Sequence, residues 1–318
     1  MTDFTGSNGA ASPDFPYAPA GWTRESAEGR AVAAGLASFA LGSETLGSIV
    51  SPTTRCRTCG LRPTFGRVSR AGCMPLAWSM DKIGPIARHV DDLAYVFASL
   101  LGRDGRDPTV VERGFRWSGE SASLKGLKVG VSGNSLNDVE SAALEFLESE
   151  GAEVLDVDLD SEVPTGAMNF ILGVEASTVF DDAFRQDPDA DYGRWPETFR
   201  QSQFVPAIQY LRANRLRSKL IIETEKKLSK YDVLLGANDL LLTNLTGHPS
   251  IVVTCGEDES RGIAVPGVVK LTASAYREDR LLAVAQRIQR ALPISPSQPA
   301  LDEWMTKMKQ AEQPGVDE

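Results

Sequence analysis

Apolar and polar positions along this chain follow two periods, and the switches between them outline its elements. Glu25–Ala40, ESAEGRAVAAGLASFA, is rich in small residues and predicts a helix that packs closely on a neighbour. From Val90 to Leu101 apolar residues recur at helical spacing, and Gly102 follows as a terminator. Leu124–Val131 and Ala152–Val157 read as strands, the second with alternating polarity, and Glu140–Glu150 between them as a helix. Strand, helix and strand in that order predict a parallel, right-handed crossover. Gly166–Lys230 is mostly helical in pattern, broken by the acidic loop Gln186–Tyr192. Tyr231–Leu235 reads as a buried strand, Asn244–Val253 as a segment leading into a core strand, and Arg280–Leu292 as a helix.

The two ends carry no such pattern. Residues 1–22 place Pro13, Pro16 and Pro19 among Gly, Ala and Ser, which predicts an extended lead. From Pro293 to Glu318 the chain reads as a loosely attached tail. One domain over 23–292 remains, and the 318 residues suffice for a sizeable core.

Charge and cysteine content remove several function classes. The net charge is −10 and the pI about 4.9, which argues against nucleic acid or an anionic membrane as a partner. No apolar run reaches membrane-spanning length, and the first residues lack the pattern of a signal peptide. Cys56 and Cys59 form one C-x-x-C pair, and Cys73 and Cys255 stand alone, so no zinc set is expected. Reduced thiols and a cytoplasmic setting follow. The acidic loop reads as solvated rather than as a cation site, and neither metal nor cofactor is expected.

The chemistry concentrates in Ala40–Pro85. Its centre, Gly42-Ser43-Glu44-Thr45-Leu46-Gly47-Ser48-Ile49, is a run of mostly small residues in which converging backbone N–H groups could flank a serine hydroxyl. Gly60-Leu61-Arg62-Pro63-Thr64-Phe65-Gly66-Arg67-Val68-Ser69 and Met74–Arg88 follow. In that order these segments resemble the amidase signature family, as does Ala31-Val32-Ala33-Ala34-Gly35-Leu36 before them. The resemblance covers about residues 25–292. It implies an α/β fold: a mixed, mostly parallel sheet covered by helices on both faces, incomplete at its N-terminus. It also implies an amide hydrolase working through a serine acyl-enzyme. Ser48 falls at the nucleophile position, and the amides of Thr45, Leu46, Gly47 and Ser48 at the oxyanion hole.

Two departures bear on activity. Aligned without gaps, the family's proton-relaying cis-serine falls on Arg24, a side chain that cannot shuttle protons. The family's lysine base lies upstream of residue 1, and no lysine precedes Lys82. The chain therefore reads as a shortened, weak or inactive amidase. His248, in the turn Asn-Leu-Thr-Gly-His-Pro, and Lys82 are the candidate replacement bases. The alternative is a pseudoenzyme that keeps the pocket without catalysis, as a binding module or partner subunit. The expected ligand is a small amide-containing molecule, and an exposed apolar surface from the missing N-terminal elements would favour self-association.

Overall fold

The computed structural model describes residues 27–117, 123–132, 136–260 and 263–294. The lead, Arg24 and most of the tail lie outside the described residues. Helix α1 (Ala27–Ala33) is shorter than the small-residue run suggested. It stops where Gly35 takes φ +73°, with the Gly35 and Leu36 amides donating back to the carbonyls of Val32 and Ala31. This left-handed glycine cap turns the chain, and Phe39–Glu44 continues as strand β1. Gly42, Ser43 and Glu44, expected in the loop, are thus the end of a strand.

Helix α2 (Val50–Cys56), β2 (Cys59–Arg62), β3 (Lys82–Ala87) and α3 (Val90–Leu100) follow. Then β4 (Lys128–Val131), α4 (Asp138–Ser149) and β5 (Glu153–Asp156) make the expected crossover, with β4 and β5 parallel. Helices α5 (Phe170–Gln186), α6 (Trp195–Ser202) and α7 (Ala207–Leu228) precede β6 (Val233–Leu235) and α8 (Leu240–Thr246). A hairpin of β7 (Ser250–Ser260) and β8 (Ile263–Thr272) and the last helix, α9 (Glu278–Ala291), close the order.

Among the described residues the eight strands form one mixed sheet, in the order β1-β3-β2-β7-β8-β6-β4-β5. The α/β architecture holds, but the balance of directions is the reverse of the expectation. Among the described residues two strand pairs, β4 with β5 and β4 with β6, are parallel, and five are antiparallel. Connection length explains this. A parallel pair needs a crossover, here α4 or the long excursion through α5, α6 and α7. The β7–β8 link spans two residues, which leaves room only for a hairpin.

Helices cover both faces. On one, Phe97 of α3, Leu147 of α4 and Ile288 of α9 pack with Leu61, Val129 and Val253 of the sheet. On the other, Val32 and Ile49 meet Ile86, and Leu228 meets Leu234. A separate aromatic cluster, Phe180, Phe184, Phe199, Tyr192 and Trp195, ties α6 to α5 and encloses one end of the acidic loop. Strand β1 is an edge of the sheet. Leu36 just before it is 81% exposed, and Phe39 and Leu41 along it are 49% and 43% exposed.

Candidate active site

The loop Thr45–Ser48 leaves β1 and enters α2. Gly47 there has φ +95°, a backbone that favours glycine, and a Cβ on it would press on Ser51 Oγ at 3.0 Å and on Leu240 of α8 at 3.2 Å. Ser48 is exposed, and among the described residues nothing hydrogen-bonds to its hydroxyl. Beneath the loop everything is buried. One carboxylate oxygen of Glu44 accepts the amides of Ile49 and Val50, both at 2.8 Å. Its other oxygen accepts Arg62 Nη1 at 2.9 Å and Asn244 Nδ2 at 2.8 Å. Arg62 in turn donates Nη2 to the carbonyl of His248 at 2.8 Å and to Ser250 Oγ at 2.7 Å.

Four side-chain and backbone donors on one carboxylate outweigh the cost of its burial. Burial alone would raise the Glu44 pKa, but the charges of Arg62 and Lys82 and the hydrogen bonds hold it at about 2. Glu44 therefore stays ionised at any working pH. It fixes the first turn of α2 from below, and through it the direction of Ser48.

The start of the loop has its own anchor. Thr45 Oγ1 donates to Asp81 Oδ1, and the same carboxylate accepts the amides of Leu76 and Ala77. Asp81 thus joins the Thr45 end of the loop to the turn Leu76–Met80. That turn is pinned from behind: Ser79 donates its amide (3.0 Å) and hydroxyl (2.6 Å) to the fully buried Glu175 of α5.

Lys82 and His248 occupy different surroundings. Lys82 stands opposite Glu44 in the β1–β3 register and is buried, its ammonium donating to the Met80 carbonyl. Burial first, then the Arg62 charge, pulls its pKa down to about 7. The ring of His248 is also buried, with Nδ1 2.7 Å from Thr246 Oγ1 and Nε2 2.9 Å from Glu225 of α7. Only its backbone carbonyl faces the site, through Arg62. Neither candidate base is hydrogen-bonded to Ser48, and no His, Cys, Asp and Glu cluster among the described residues could hold a metal ion.

The sequence offers Ser48 and its loop as candidates but gives no sign that Glu44, Arg62, Asp81, Asn244 and Arg217 lie around that loop. Along α7 Arg212, Arg215 and Lys219 are exposed, whereas Arg217 is buried. The available signal was period. Ala213, Arg217, Leu220 and Thr224 share the inward face of α7, so a lone arginine interrupts the buried stripe there.

This chain belongs to the amidase family, whose profile matches residues 26–235. It is similar to a glutamyl-tRNA(Gln) amidotransferase subunit of Deinococcus radiodurans (31% identity over 81% of this chain and 65% of that protein). The corresponding protein of Staphylococcus carnosus is 31% identical over 81% of this chain and 64% of its own length. The chain thus spans just under two thirds of the length of these curated relatives. Among solved structures it resembles one from an unexpected vestigial protein complex that reveals the evolutionary origins of an s-triazine catabolic enzyme. There the TM-score is 0.71, with 26% identity over 84% of this chain and 66% of the other. An amidase family protein from Bacillus anthracis str. Ames shares the fold, with TM-score 0.73 and 23% identity over 89% of this chain and 63% of that one.

The environment of Lys82 makes a prediction about stability. Its ammonium loses a proton at about pH 7 when folded and near its ordinary value of 10.5 when unfolded. Between those values the unfolded chain binds more protons, so Lys82 makes stability rise with pH across that window. Denaturant midpoints measured from about pH 7 to about pH 10 should show this rise in the native sequence and a weaker one in Lys82→Met. Parallel curves for the two proteins would contradict the buried placement of the amine.

Proposed function

We propose that the chain acts on small amide-containing molecules as a serine acyl-transfer protein, with Ser48 as nucleophile. The amides of Thr45, Leu46, Gly47 and Ser48 are the oxyanion donors. Unactivated amides turn over slowly or not at all. What carries this reading is an exposed serine on a loop fixed from below by Glu44 and from the side by Asp81, with no base hydrogen-bonded to it among the described residues. A carbonyl oxygen against preorganised amides gains charge stabilisation as the tetrahedral adduct forms. The Ser48 proton must still leave, and a positioned base is worth about 10²–10⁴-fold in rate. Lys82 and His248, each bonded elsewhere, do not supply it from where they stand.

Leaving groups should therefore separate two substrate classes. An aryloxide departs without a proton, whereas an amine must be protonated as its C–N bond breaks. With Ser48→Ala as the control, an aryl ester should show Ser48-dependent acylation and a primary amide little or none. Robust Ser48-dependent amide hydrolysis would overturn the slow-amide part of this reading, and no Ser48-dependent ester turnover would overturn the nucleophile.

The reading as one member of a complex has its own support. The exposed Leu36, Phe39 and Leu41 lie on or just before an edge strand, with no charged residue between Leu36 and Ser43 to discourage pairing. The similar amidotransferase proteins are named as subunits. Light scattering at low micromolar concentration should report association that Leu41→Lys reduces. A native chain that stays monomeric would count against the edge as an interface.

A further inference from the structure

The guanidinium of Arg217 touches both supports of the Ser48 loop although it lies on neither. It is buried on the inward face of α7 and donates Nη1 to Ser79 Oγ at 2.6 Å, Nη2 to the Ser79 carbonyl and Nε to the Leu245 carbonyl. The Ser79 contacts lead to one end of the loop. Ser79 belongs to the turn in which the Met80 and Asp81 amides donate to the Ala77 carbonyl. The carboxylate of Asp81 then holds Thr45. The Leu245 contact leads to the other end. Leu245 adjoins Asn244 in α8, and Asn244 donates to the carboxylate that holds the Ile49 and Val50 amides.

We propose that Arg217 is a positioning residue for Ser48, a single guanidinium that sets the spacing between the Ser79 turn and α8 and hence between the two ends of the nucleophile loop. The kinetic part of this proposal rests on the acyl-transfer reading above. The donor fork explains the residue type. Three acceptors on two separate elements are met by one rigid, planar group, and a lysine ammonium cannot span them in that geometry. Glu175 completes the arrangement. It faces the same Ser79 hydroxyl, accepts Tyr210 Oη at 2.8 Å, and balances the buried cation without taking its hydrogen bonds.

A misplacement of about 1 Å in a catalytic constellation costs on the order of 10²-fold in rate. Arg217→Ala should lower Ser48 acylation by an aryl ester by about that factor, with most of the loss in kcat rather than KM. Guanidinium ion, added well below any denaturing concentration, should restore a large part of it in Arg217→Ala and none in Arg217→Lys. A purely structural arginine would lose stability without this rescue. Hydrogen exchange provides a second reading that needs no turnover. The Thr45–Val50 segment should lose protection in Arg217→Ala and regain it with guanidinium, while α3 and α9 stay unchanged. Acylation within about threefold of the native rate would overturn the proposal. So would a loss that guanidinium does not relieve, or exchange that is unchanged or raised everywhere. Absence of acylation in the native protein would overturn the acyl-transfer reading instead, and the exchange experiment alone would then decide the role of Arg217.

Discussion

The ion pair of Glu44 and Arg62, with both side chains at zero exposure, is the constraint on which the rest of the site depends. Removing two charges from water costs several kcal/mol per ion, and attraction between them offsets that only when the remaining hydrogen-bonding capacity is also used. Here Glu44 has four donors, and Arg62 reaches a carbonyl and a hydroxyl besides, leaving only its Nε without a partner among the described residues. A hydrophobic pair could fill the same space at no electrostatic cost. It could not hold two consecutive amides at the entrance of α2, and that is what aims Ser48.

The surrounding charges follow the same logic. Lys82 opposes Glu44 across β1 and β3, and Arg217 faces Glu175 beyond Ser79. Asp81 takes three protein donors, Thr45, Leu76 and Ala77. The result is a buried polar layer around the loop in which each ion is met by an opposite charge or by hydrogen-bond donors. Ser48 itself is exposed and adds little burial, so the order of its loop comes from hydrogen bonds made underneath it.

Much of this was legible in the sequence, and the part that was not has a physical reason. The crossover β4–α4–β5 showed itself because its second strand alternates in polarity and its helix is amphipathic, both local properties. The Thr45–Ser48 loop stood out through its run of small residues and the family resemblance around it. Strands β1, β2 and β3 did not. Phe39–Glu44 ends in Gly-Ser-Glu, Cys59–Arg62 is short, and Lys82–Ala87 holds Gly84 and Pro85, so none carries a strand-like period. They are strands because they pair with one another, and pairing between residues this far apart leaves no local trace. The buried charges leave no local signal for a related reason. Arg217 looks like its exposed neighbours Arg212 and Arg215 until the helix phase is fixed by what α7 packs against. His248 drew attention as the histidine of the Gly-His-Pro turn, yet its ring is spent on Thr246 and Glu225 and only its carbonyl serves the site.

Site-resolved hydrogen exchange of the Ile49 and Val50 amides in Glu44→Gln, set against the native protein, tests the role of the buried carboxylate most directly. A neutral amide keeps the shape but leaves Arg62 buried without its counter-charge, a change that costs about 3–5 kcal/mol when a buried pair is broken. If Glu44 holds the loop, these two amides should exchange faster by a larger factor than the core amides of β7, which report global opening. Equal acceleration at all sites, or no change at Ile49 and Val50, would mean that the loop keeps its shape without Glu44 and that its support lies elsewhere.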